Sequence, residues 1–259
     1  MTLTFLYHIP AGVIVAGIFI GILLSFYIGK WLFSYQVKKD AKLEHRGWGP
    51  LEGALLGILS LLLSFTFSKS SSNYSERRAN DVREADRIYK VLTFTNMYSD
   101  SIKTEFRKDL REYINTRIEY FEAGIDEQRI NAASEKEEII LERIFDRATK
   151  FLQIPNDVRS SLMMPAIEDM IEAATETEEA RKAYTPEPIL WLLILLCFSG
   201  IFIVGYTNKS HKADLIILFT YSTMTLMTIF IILDLDRPTR GLITTKSAQK
   251  NIYALLKKV

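Results

Sequence analysis

Cysteine is all but missing from this chain: Cys197 is the single one in 259 residues. Neither a disulfide framework nor a cysteine-based metal site can be built from it. Histidine is nearly as scarce, and His8, His45 and His211 sit in short segments beside different apolar runs. They read as polar residues at an interface. No His/Asp/Glu group has metal-ligand spacing, no glycine-rich loop cradles a phosphate, and no Ser/His pair marks a nucleophile. These absences argue against an enzyme and call for no cofactor or metal. A formal net charge of only +1 accompanies no basic feature that would call for a nucleic-acid partner. Alternating strand patterns are absent too, and so is any internal repeat.

What the chain does have is segregated. Residues 11–33, 51–67, 188–206 and 213–233 are almost free of charge, whereas 69–187 carries 19 of the 32 Lys+Arg and 25 of the 31 Asp+Glu. Apolar runs of about 20 residues with charged flanks predict transmembrane helices. Tyr7, Trp31, Tyr35, Trp48, Trp191 and Tyr206 fall at headgroup depth beside them. The first run follows MTLTFLYHIP, which lacks a basic n-region, so a retained helix is expected rather than a cleaved signal peptide. The expected fold is an all-α membrane protein with four transmembrane helices and a helical extramembrane bundle between helices two and three. Residues 1–68 hold the first two spans, 69–187 the helical domain, 188–236 the last two spans, and 237–259 a basic tail. Four spans place both termini and the large domain on one side. Total basic residues near the spans put that side in the cytoplasm of an inner-membrane protein, although the short opposing loops are denser in charge.

The second span stands out. From Leu51 to about Met97 there is no proline, and after Gly57 no glycine until Gly124, so one helix of roughly 70 Å is predicted. At 100° per residue, Gly53, Gly57, Ser60, Ser64, Phe67, Ser68, Ser71, Ser75 and Arg78 share a face, and Leu55, Leu59, Leu62, Phe65 and Lys69 lie opposite. Small residues let helices approach closely, so a packing seam is one reading of that face. The other is a pore lining: hydroxyls meet a hydrated ion, Phe67 forms a constriction, and a ring of Arg78 at the inner mouth favours anions.

Span four ends in LDLDRPTRGLI. There Asp234, Asp236 and Arg237 meet the membrane boundary and Pro238 stops the helix. Charges so placed read as local ion pairing, or as carboxylates that help bind a cation or position a gate. Glu52 reads as a helix-start acid. The acidic run EDMIEAATETEE at 168–179 reads as a solvated helix face. Within the soluble segment, Ile102, Phe106, Leu110, Ile114, Ile118 and Phe121 form an apolar row. Ile140, Ile144, Ala148, Phe151 and Leu152 form another, and Leu162, Ala166, Met170 and Ala174 a third, with joints at Gly124, Pro155 and Pro165.

GALLGILSLLLSFTFSKSSSNYSERR, EDMIEAATETEEARKAYTPEPILWLLILLCFSGIFIVGY and LDLDRPTRGLI together resemble the bacterial bestrophin-like domain family over about residues 10–250. The resemblance implies a four-span membrane protein with a large loop between spans two and three. It is distantly similar to bestrophins, pentameric anion channels whose second span lines the pore. Phe67, Tyr74 and Arg77 resemble the start of a bestrophin pattern, but the spacing from Phe to Tyr differs by a residue and the tryptophans that follow it there are absent here. The function expected is an oligomeric ion channel, anions favoured, whose partners are the lipid bilayer, inorganic ions and further copies of itself, five by this resemblance. A cation channel of the same build, with Asp234 and Asp236 supplying selectivity, is the first alternative. A non-conducting membrane-anchored helical sensor or scaffold is the second.

Overall fold

The computed structural model describes residues 6, 9–38, 49–150, 158–207, 214–237 and 241–259. Tyr7, His8, His45, Trp48, Phe151, Leu152, Pro155, His211 and Pro238 lie outside them, as does the side chain of Glu52. The described residues are helical, with no strand among them. In chain order they form α1 (Ala11–Val37), α2 (Gly49–Phe94), a 3-10 turn (Thr95–Met97), α3 (Asp100–Glu122), α4 (Glu127–Thr149), α5 (Val158–Lys182), α6 (Glu187–Thr207), α7 (Asp214–Leu235) and α8 (Lys246–Leu255). Among the described residues, four helical runs are long and apolar enough to cross a membrane: Ala11–Gln36, Gly53–Met97, Ser161–Thr207 and Leu218–Leu235. The third is broken at 183–186 ahead of α6, and its apolar part is α6. This is a multi-pass, all-α membrane protein with a helical extramembrane bundle between the second and third spans.

The chain divides into two compact units, Met1–Asn73 with Tyr184–Arg237 and Tyr74–Ala183 with Pro238–Val259. In the first, α1 packs along α6 and α7. Ile22, Phe26, Leu59, Cys197, Ile201 and Ile232 are buried at its centre. Its outside is apolar as well. Val13 (60%), Trp31 (66%), Leu195 (61%) and Phe219 (66%) are exposed, a surface that water does not tolerate and lipid does.

Two glycines set the α1–α6 approach. A Cβ on Gly29 would come within 2.2 Å of the Phe202 carbonyl oxygen, and one on Gly205 within 2.2 Å of the Phe26 carbonyl oxygen. With no hydrophobic drive between helices in lipid, such backbone proximity is how spans gain dispersion energy.

The second unit has a core of Ile88, Phe106, Leu110, Ile114, Ile140 and Met170, all almost fully buried. Each such side chain contributes about 1.5–3 kcal/mol relative to exposure. Antiparallel α3 and α4 are joined at Gly124, whose φ of 66° lies in the left-handed region that glycine enters freely. Asp126 then caps α4, its carboxylate accepting from the backbone amides of Gln128 (3.1 Å) and Arg129 (3.2 Å). α8 packs against α3. The rows expected for α3 and α4 are on their buried faces. In α5 the burial is shifted: Leu162 is 46% exposed while Met163 and Ile167 are buried beside Ala166 and Met170. Pro165 sits inside α5 without dividing it.

Candidate functional site

On the membrane part of α2, Gly53, Gly57, Ser60, Ser64 and Ser68 are exposed, Phe67 is 40% exposed and Ser71 half-buried. A Cβ added to Gly53 or Gly57 would meet nothing within 4 Å. The chain's own tight helix approach is built by Gly29 and Gly205 and not by these two. The Ser60 hydroxyl donates to the Leu56 carbonyl at 2.9 Å, which satisfies its proton and leaves oxygen lone pairs outward. Across the helix, Leu59 is 1% exposed and packed among α1, α6 and α7 residues. Phe65, on the same apolar side, is 64% exposed.

Beyond the membrane the buried face of α2 turns polar. Ser70, Asn73, Arg77, Asn80, Asp81 and Glu84 are all below one tenth exposed. Arg77 donates from Nε to the Ala180 carbonyl at 3.0 Å and from Nη2 to the Ala183 carbonyl. A guanidinium on the last carbonyls of α5 satisfies groups that a helix end leaves orphaned. Arg78, the neighbouring residue, points the other way: it is exposed and pairs with no described residue.

Asp234, Asp236 and Arg237 are brought together at the end of α7, and all three are buried (3%, 0% and 8% exposed). Asp236 Oδ2 accepts from the Thr185 amide at 3.2 Å, and the Thr185 hydroxyl shares a hydrogen bond with Ser70 Oγ at 3.0 Å. Arg237 Nη2 donates to the Leu6 carbonyl at 3.0 Å, and the Leu6 amide donates to Glu187 Oε1 at 3.2 Å. These charges tie the start of α6 and the segment before α1 to the end of α7. Two membrane hydroxyls of α7 bond backward, Thr223 to the Phe219 carbonyl (2.8 Å) and Thr228 to the Met224 carbonyl (2.9 Å).

Three features of the second unit are not apparent in the sequence. The first is a ladder between α2 and α5: Asn80 Nδ2 to the Glu176 carbonyl (3.3 Å), Arg83 to Glu176, and Arg87 (2.9 Å) and Lys90 (3.0 Å) to Asp169. The Lys90 hydrogen bond holds the Asp169 carboxyl below its usual value. The acidic run read as a solvated face is thus only partly so, since it supplies Asp169 and Glu176 to that ladder.

The second is a buried charge cluster. Arg117, fully buried, meets Glu84 (2.6 Å), Glu137 (2.8 Å) and Glu178 (2.9 Å). Burial opposes its charge, but Glu84 and Glu137 hold the guanidinium protonated more firmly than usual. Burial raises the Glu137 carboxyl even though Arg117 pulls it down.

Asp81 is the third. It is 1% exposed, and burial pushes its carboxyl up to about 6 against the opposing pull of Arg181 and of hydrogen bonds with Thr245 and Gln249. The partners in these groups lie 20 or more residues apart in the chain. Among the described residues no group of three His, Cys, Asp or Glu side chains is placed to hold a metal ion.

No curated protein matches the chain in sequence. Among solved structures, the crystal structure of a bacterial bestrophin homolog from Klebsiella pneumoniae superposes with a TM-score of 0.68 at 14% identity, covering 94% of this chain and 98% of that one. A point mutant of the same homolog gives a TM-score of 0.72 at 13% identity, covering 94% and 98%. A further crystal structure, described only as a membrane protein, gives 0.67 at 15% identity, covering 93% and 97%. At such identities the likeness is one of fold. The sequence profile of the Bestrophin-like domain matches residues 49–249, and family and fold together support an ion-channel kind of function. A match over most of the chain, taking in three of the four apolar spans and the helical bundle, makes this protein a member of the Bestrophin-like domain family.

Proposed function

We propose that several copies of this chain surround a water-filled path lined by the α2 face of Gly53, Gly57, Ser60, Ser64, Phe67, Ser68 and Ser71, and that the assembly conducts ions with anions favoured. The observation that carries this reading is that the glycine- and hydroxyl-bearing face is left uncovered by the chain's own helices. A symmetric ring lets one such face per subunit enclose an axis. The hydroxyls of Ser64, Ser68 and Ser71 there donate to a partly dehydrated anion, whereas Ser60 gives its proton to the Leu56 carbonyl; Phe67 narrows the path, and Arg78 supplies positive charge at the inner mouth. Five copies, an inner-membrane location and a cytoplasmic 69–187 domain with both termini on its side complete the proposal. Burial of Asp234 and Asp236, with Asp236 held by the Thr185 amide, disfavours the cation-selective alternative.

Recording of purified protein in planar bilayers under a chloride gradient tests the proposal. Arg78→Glu is expected to move the reversal potential toward the cation limit, and Ser64→Trp to block current. Wild-type currents in Ser64→Trp would leave α2 as a packing seam between copies.

A further inference from the structure

We propose that the cavity between the C-terminal end of α3 and α8 binds a small hydroxylated organic phosphate. The cavity has a volume of about 480 Å3, within the range of small-molecule sites. Lys246 and Lys250 stand on its α8 wall, one helical turn apart and therefore on the same face. Both are exposed, and neither has a carboxylate partner or a hydrogen bond among the described residues. Lys246 is also the first residue of α8, where the positive end of the helix dipole disfavours a cation. Two ammonium groups and a helix N-terminus thus border one concavity that also holds the Glu122 carboxylate, leaving an excess of positive charge that an anionic group entering there would offset.

The rest of the lining selects what carries that anion. Phe121, 5% exposed, and Tyr253, 38% exposed, give the cavity apolar walls, which suit an organic body better than a bare ion. Glu122 is the one carboxylate among its described lining residues, and Glu122 Oε1 accepts from the Tyr253 hydroxyl at 3.1 Å. The remaining carboxylate oxygen accepts from a ligand hydroxyl on the side away from the phosphate. Gln249, 6% exposed, donates to Thr245 Oγ1 at 3.1 Å and so forms a fixed floor. A phosphate on a short polyol satisfies both ends, and it arrives either as a free sugar or glycerol phosphate or as the headgroup of a glycerophospholipid.

The test uses full-length protein in phosphatidylcholine nanodiscs, titrated calorimetrically with glycerol 3-phosphate and with inorganic phosphate. Parallel nanodiscs containing phosphatidylglycerol are assayed for retained lipid. Glycerol 3-phosphate is expected to bind saturably and more tightly than inorganic phosphate. The Lys246→Gln, Lys250→Gln double variant, folded by circular dichroism, is expected to bind about tenfold more weakly or worse, since it removes both ammonium donors to the phosphate. The exposed control Lys257→Gln should bind as wild type. Lysine-dependent retention of phosphatidylglycerol without binding of the free phosphate would assign the lipid as the source. Absence of saturable binding by every probe, or equal affinity in the double variant, overturns the proposal.

Discussion

Asp236 accepts a hydrogen bond from the backbone amide of Thr185 at 3.2 Å. Through it the end of the fourth span holds the chain that starts the third. An acidic residue at a membrane boundary is readily taken for an ion ligand, yet this carboxylate is wholly buried and directed at the protein's own backbone.

Asp236→Ala leaves the Thr185 amide without that acceptor, and the loss of a buried hydrogen bond to a charged group costs about 1–3 kcal/mol. A lower thermal midpoint in detergent is expected, with a smaller drop for Asp236→Asn, which keeps an acceptor oxygen. Reversal potentials of both variants should equal the wild type; a change in ion preference would return Asp236 to the ion path.

Gly29→Ala and Gly205→Ala place a Cβ 2.2 Å from backbone oxygens of the facing helix. Backbone cannot swing aside as a side chain does, so overpacking of about 1–3 kcal/mol or more follows. Gly57→Ala meets open space and removes glycine's helix penalty, a gain of up to about 1 kcal/mol. Thermal stability of the three purified variants should therefore split in sign.

Arg117→Ala strands Glu84 and Glu137 in the core of the second unit, and breaking a buried pair from one side costs about 3–5 kcal/mol. Chemical denaturation should show this as a marked loss. Replacing Arg117 with Met and both glutamates with Leu should recover much of it, because a packed apolar cluster carries no desolvation penalty.

The Asp81 carboxyl has a folded-state value of about 6 against 3.8 for the free group. The folded state therefore holds the proton more tightly than the unfolded one, and stability falls as pH rises from about 4 to about 6. Above that window the full penalty of roughly 3 kcal/mol applies, and below it none. The raised Glu137 carboxyl acts with the same sign. Asp81→Asn removes the Asp81 part, so midpoints measured across this range should flatten and rise at neutral pH. A variant with an unaltered slope would show that Asp81 does not titrate there.

Some of this was legible because helical spacing is a local property. Phe106, Leu110 and Ile114 recur every fourth residue and are buried together. Gly53, Gly57, Ser60, Ser64 and Ser68 fall on one side of α2 by angle alone and are exposed together. What covers that side is not written in a single chain's contacts. Other parts depended on partners remote in sequence. Nothing near Asp169 announces Arg87 and Lys90, and nothing near Arg117 announces Glu84 or Glu178. Gly29 and Gly205 look like any membrane glycine until the helices are laid side by side. Leu162 failed its row because neighbouring Met163 and Ile167 took the inward positions, and apolar spacing does not choose between adjacent stripes.

The α2–α5 ladder also fixes alignment. Apolar helix faces slide past one another with small loss, because one greasy contact replaces the next. Here Arg77, Asn80, Arg83, Arg87 and Lys90 each meet a particular oxygen on α5. A slip by one turn, about 5.4 Å, would misplace every one of them at once. The seam behaves as a vernier with a single matching position, so sliding α2 along α5 is disfavoured against a motion in which the two helices move together.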